Sequence, residues 1–281
     1  MSRKSEVNPP CTRSAAGYFT SAYFGARLKK GLVSAGIFIV FWGVAHIASA
    51  GQYWDFPPLP EPYQYGDLLI DRTSTKNQVK PVFFSHWSHR AKYACRVCHF
   101  ELDFAFKVNK TEMTEEDNRN GLFCGACHDG KQVFGHTEGN CEKCHAGENI
   151  SSHDKFNLLA RQLPKTEYGN KIDWVGAVRS KRITPRYSIF NEDEIPMAFK
   201  KDLELAAEWS FVPPAFFPHA AHTPWLDCAN CHPDIFNIKK KTTKHFSMKY
   251  ILEERFCGVC HLKIAFPLNN CTGCHPKIKG K

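Results

Sequence analysis

Six copies of the pattern Cys-x-x-Cys-His stand in this chain, beginning at Cys95, Cys124, Cys141, Cys228, Cys257 and Cys271. Thirteen cysteines and fourteen histidines placed at random give about 0.03 copies in a chain of this length. The copies consume Cys95, Cys98, Cys124, Cys127, Cys141, Cys144, Cys228, Cys231, Cys257, Cys260, Cys271 and Cys274, leaving only Cys11. A disulfide framework built from them leaves six adjoining histidines unexplained, and zinc sites do not require a histidine directly after the second cysteine. Covalent haem attachment uses every fixed position of the pattern. Two thiols add to the haem vinyl groups, and the next residue turns its imidazole onto the iron. The reading is six covalently bound haem c groups, with His99, His128, His145, His232, His261 and His275 as proximal iron ligands.

The elements that must position these groups come in duplicate. The motifs form two sets of three, separated by about sixty cysteine-free residues from Ile150 to Phe211. Phe84-Ser85-His86-Trp87-Ser88-His89 precedes Cys95 as Phe217-Pro218-His219-Ala220-Ala221-His222 precedes Cys228, at an offset of 133. The same offset carries Phe123-Cys124-Gly125 onto Phe256-Cys257-Gly258, and the third motifs differ by a deletion of three. Two homologous trihaem modules are the simplest account. About sixty residues around three haems are too few for an ordinary protein core. The macrocycles must supply most of the buried apolar surface, with covalent and iron bonds as staples. The fold class expected is mostly irregular, with short α-helices starting at the motifs and a haem-dominated core. Short strands are expected at Val82-Phe83-Phe84 and Ala215-Phe216-Phe217.

From Gly31 to Ala50 there is no Asp, Glu, Lys or Arg, and twenty helical residues span about 30 Å, the thickness of a bilayer's hydrocarbon. One transmembrane helix fits. Arg27, Lys29 and Lys30 before it hold the N-terminus in the cytoplasm and place both modules in the periplasm, as a single-pass protein of the cytoplasmic membrane. Ala48-Ser49-Ala50 leaves a cleaved signal peptide as the competing reading. The organisation expected is a cytoplasmic segment 1–30, an anchor 31–50, a Pro-rich linker 51–80, module 1 at 81–149, an inter-module segment 150–213 in contact with a partner, and module 2 at 214–281.

With Phe-x-His-x-x-His ahead of three Cys-x-x-Cys-His motifs, each half resembles the cytochrome c7 and c3 family. The resemblance implies that the first histidine of the leading pair ligates the first haem of its module and the second ligates the middle haem. Haem 1 then has His99 and His86, haem 2 has His128 and His89, haem 4 has His232 and His219, and haem 5 has His261 and His222. For the last haem of each module the resemblance points to a methionine about nine residues before the middle motif. Met248 stands there, whereas Met113 needs a local shift of two residues. His245 rivals Met248, and His136 or His153 rivals Met113.

Irons ligated on both sides have no open position for substrate, so electron transfer is the expected work. One N-terminal helix, two c7-like modules and a long connecting segment resemble the hexahaem cytochrome subunit of periplasmic menaquinone reductase complexes in sulfate respiration, and the related subunit of alternative complex III. The partners this implies are a soluble tetrahaem cytochrome c3 and the iron–sulfur, molybdopterin-oxidoreductase-like and polytopic quinone-binding subunits of one complex. The alternatives are a multihaem reductase with one open haem acting on a substrate such as nitrite, and a stand-alone quinol dehydrogenase. The formal charge of +9 falls to about +3 once each ferric haem adds roughly −1, which gives little steering. The basic run Lys239, Lys240, Lys241 and Lys244 is densest, and nucleic acid is not an expected partner.

Overall fold

In each half of the chain, a ribbon of two short strands runs straight into a one-turn helix carrying the histidine pair. Val82–Ser85 pairs antiparallel with Asp67–Ile70, with Leu68 opposite Phe84. Ala215–Pro218 pairs antiparallel with Asp202–Leu205, with Leu203 opposite Phe217. Leucine set opposite phenylalanine across each ribbon favours this pairing. The partner strands Asp67–Ile70 and Asp202–Leu205 fall where the sequence suggested only linker and connecting segment. The helices His86–Arg90 and His219–His222 follow, and spacing of three residues sets both histidines of each on one face. The structure is a computed structural model and describes residues 56, 58–148, 152–237 and 247–278. The expected anchor at 31–50 and the basic run at 239–244 lie outside them. Among the described residues no helix is long and apolar enough to cross a membrane.

The motifs themselves coil. Helices span Cys141–Cys144, Cys228–Cys231, Gly258–His261 and Cys271–Cys274, a 3-10 turn spans Phe123–Ala126, and a π-helical turn spans Val97–Glu101. A further short helix precedes each middle motif, at Glu115–Arg119 and Met248–Leu252. These two obey the same offset of 133. Each docks on the glycine of its motif so tightly that a Cβ at Gly125 would lie 1.8 Å from the Asn118 carbonyl oxygen, and one at Gly258 1.9 Å from that of Ile251.

Part of the segment 150–213 packs inward. Helices His153–Arg161 and Trp174–Arg179 contribute Phe156, Ala160, Leu163, Ile172, Trp174 and Ala177 to a buried cluster with Trp87 and Trp225. An ordinary apolar core therefore exists, and it sits where the segment meets both halves. Each fully buried large side chain there contributes about 1.5–3 kcal/mol. Backbone bonds complete the join: Arg96 N–H donates to the Trp225 carbonyl at 2.9 Å, and Arg186 N–H to the Lys92 carbonyl at 2.8 Å.

Candidate haem sites

A histidine that ligates iron through Nε2 needs its other nitrogen protonated and its ring held in place. Ten histidines meet this need in one way, through Nδ1 on a backbone carbonyl. The leading pairs lie at 2.7 Å from Gly66 O (His86), 2.9 Å from Ser85 O (His89), 2.5 Å from Lys201 O (His219) and 2.9 Å from Pro218 O (His222). The motif histidines lie at 2.8 Å from Phe104 O (His99), 3.2 Å from Phe134 O (His128), 2.8 Å from Lys80 O (His145), 2.6 Å from Phe236 O (His232), 3.0 Å from Phe266 O (His261) and 2.7 Å from Pro213 O (His275). A carbonyl oxygen only accepts, so every Nδ1 carries a proton, and it is Nε2 that offers the lone pair in the neutral ring. The carbonyls come from matching places in the two halves. Gly66 and Lys201 each precede the first strand of a ribbon, and Lys80 and Pro213 each stand two residues before the second.

Two pairs face one another. The ring centres of His89 and His128 are 6.3 Å apart, and those of His222 and His261 are 6.2 Å apart. A metal between two imidazoles sits about 2.0 Å from each nitrogen, with each ring centre roughly 1.1 Å behind, so a bis-histidine site needs about 6.2 Å between centres. Burial, offset in part by the Gly66 and Phe266 carbonyls, pushes His86 and His261 down to about 4. It also lowers His89, His99, His128 and His222. These imidazoles are neutral at pH 7, the form that binds metal. Burial pushes the Cys98, Cys257 and Cys260 thiols up to about 12. Among the described residues no group of three or more His, Cys, Asp or Glu side chains is arranged to hold a metal ion by itself.

Residues 82–146 and 215–277 match the family model of cytochrome c7 and related cytochrome c. Two cytochrome c7 domains are present. Such domains carry covalently bound c-type haem and serve electron transport, which is what the bare Nε2 atoms and paired thiols allow. The C-terminal hexaheme fragment of GSU1996 is a similar solved structure, at 23% identity over 79% of this chain and 99% of that chain, with a TM-score of 0.25. Among curated proteins nothing matches.

Within each c7 domain, a phenylalanine that the sequence showed but gave no task orients the leading pair. Phe84 meets His86 edge-on at 4.8 Å and stacks on His89 at 4.5 Å. Phe217 repeats this on His219 at 4.9 Å and His222 at 4.4 Å. The ring wedges between the two imidazoles, so Phe-x-His-x-x-His is a single positioning device.

The surroundings of the third motif in each c7 domain are less symmetric. Met248 opens helix Met248–Leu252, but the matching position in the first domain is Glu115, and Met113 lies ahead of the cap residue Thr114. A capping box between Thr114 and Asp117 fixes where that helix begins. The two-residue shift that would place Met113 opposite Met248 is therefore absent. His136 lies close enough to Arg119, His128 and Glu115 to interact with their charges. His153 is exposed, with its ring held by Asp154 and Asn157. His245 lies outside the described residues. Among the described residues, eleven motif cysteines are free thiols.

Proposed function

We propose that this chain is a membrane-anchored periplasmic hexahaem cytochrome that relays electrons between a soluble c3-like cytochrome and the quinone-reducing subunits of a respiratory membrane complex. The observation that carries the haem count furthest is the set of ten histidines whose Nδ1 protons are committed to carbonyls. Six belong to the motifs and four to the leading pairs, matching His86, His89, His219 and His222 as sixth ligands of haems 1, 2, 4 and 5. Haem supplies a one-electron iron centre, and the chain holds it, orients its ligands and shields it from water. Met248 is proposed for haem 6.

The anchor at 31–50 rests on the charge-free stretch and the basic residues before it. The proposed partner contact is the outer part of the connecting segment, a reading supported by Phe190, Ile195 and Met197, which are 73%, 79% and 60% exposed. Apolar side chains so exposed over a few residues suit burial against another subunit.

An alkaline pyridine haemochrome assay normalised to protein tests the count, with six expected and four or fewer overturning it. Purification in mild detergent tests the partners, since the quinone-binding and iron–sulfur subunits must accompany the chain. The second reading, a reductase with one open haem, is favoured by a single observation, the out-of-register Met113.

A further inference from the structure

Arg90 ends the helix that begins at His86, and its guanidinium lies between two tryptophans, 5.0 Å from the Trp174 ring centre and 4.6 Å from that of Trp225. Trp174 belongs to the connecting segment and Trp225 to the second c7 domain, and both are buried. Nη1 reaches the Ile264 carbonyl of the second domain at 3.4 Å, while Nε is buried with no hydrogen-bond partner. Among the described residues no carboxylate forms an ion pair with it. A guanidinium stays charged in any protein environment. The tryptophan faces stabilise this half-buried cation, but among the described residues no anion pairs with it, so its position favours a negative neighbour that they do not supply.

The neighbours identify the place. Arg90 acts electrostatically on Cys95 and His86 at the first motif of one domain, and on Cys260 and His261 at the middle motif of the other. Cys95 and Cys260 also feel one another. The residue matching Arg90 at the repeat offset is Thr223, so the second domain has no such cation. It belongs to the junction and not to the c7 pattern.

We propose that Arg90 is a fixed cation shared by the haem sites at Cys95–His99 and Cys257–His261, raising the potentials of both where electrons cross between the domains. This rests on haem occupying those two motifs. At the crossing one ferrous iron becomes ferric as the other ferric iron becomes ferrous, with no further reactant. A positive charge in a low-dielectric site disfavours the more positive ferric state of both. Direct pairing with a haem propionate would act with the same sign.

Redox titration of the full haem-loaded chain, followed by NMR at assigned haem methyl signals, tests the inference. In Arg90→Gln, which keeps a planar polar group but no charge, these two haems should show about a tenfold higher ferric-to-ferrous ratio at a fixed potential, equal to about 59 mV for one electron. The other four should not move. Arg90→Lys should leave all six close to the parent. Arg90→Met provides a second neutral form should the glutamine variant fail to load haem. Unmoved potentials in the neutral variants, or equal shifts in the lysine form, overturn the proposal. Loss of haem from both neutral forms also overturns it, by making the cation a requirement for folding. A parent lacking haem at these motifs by the haemochrome count would instead overturn the underlying reading.

Discussion

Arg96 occupies a variable position of the first haem motif, and replacing it with methionine should cost stability without touching the iron. Its side chain is 4% exposed and its partner Glu101 8%, with Nη1 to Oε1 at 2.8 Å. Nη1 also donates to the Tyr187 carbonyl at 2.6 Å, and the guanidinium stacks on Tyr187 at 4.6 Å. Glu101 has one other donor, the Ile189 N–H at 2.9 Å. The methionine variant therefore strands a buried carboxylate, a loss of about 3–5 kcal/mol, which at roughly 2–4 °C per kcal/mol lowers Tm by about 10 °C. Arg96→Met with Glu101→Leu removes the stranded charge and leaves an unsatisfied Ile189 N–H, costing about 1–3 kcal/mol. The double variant should accordingly be more stable than the single one. Thermal unfolding followed by far-UV circular dichroism on the haem-loaded protein measures both, and the visible spectrum should not change. A single variant within 1 kcal/mol of the parent, or losses that simply add, would refute the reasoning.

Three other outcomes follow from the sites. His89→Gly should give one high-spin haem that binds cyanide, read by visible absorption and EPR, while His153→Gly should leave the spectrum unchanged. Gly125→Ala must push a methyl group into the Asn118 carbonyl and should cost about 1–3 kcal/mol, whereas Gly139→Ala meets nothing within 4 Å and should be neutral by the same unfolding assay. Met248→Leu should abolish the weak far-red charge-transfer band of sulfur-ligated ferric haem. Met113→Leu should leave that band intact, and His136→Ala should then produce a high-spin haem if His136 serves the third haem.

The sequence revealed the features that repeat. The motifs, the leading pairs, the two aromatic strands and the offset of 133 are carried by residue types with few other uses in that order. It concealed the features that depend on backbone alone. No residue type marks Gly66 or Lys201 as the carbonyls that hold His86 and His219, because any residue can supply a carbonyl. The strands Asp67–Ile70 and Asp202–Leu205 are four residues each and exist through pairing with their aromatic neighbours. Met113 stands out of register with Met248 because Thr114 and Asp117 fix the start of its helix through a reciprocal cap, which spacing along the chain does not reveal. Trp174 was visible in the connecting segment, but a lone tryptophan is as compatible with partner contact as with a core.

Duplication explains why ligation and assembly use different residues here. The leading pairs and middle motifs were copied, so Phe84 and Phe217, His86 and His219, and Gly125 and Gly258 hold matching places in the two domains. A junction between two copies cannot be copied, since each copy presents it a different face. The residues that form it accordingly break the offset: Arg90 stands against Thr223, and Trp225 against Lys92. The connecting segment then supplies apolar surface that neither domain has, and Phe156, Leu163, Ile172 and Trp174 close the core around Trp87 and Trp225. Substitutions in this cluster should therefore act on the coupling of the domains, while substitutions in the repeated set act on single haems. A stability change that spreads evenly over both classes would contradict that division of labour.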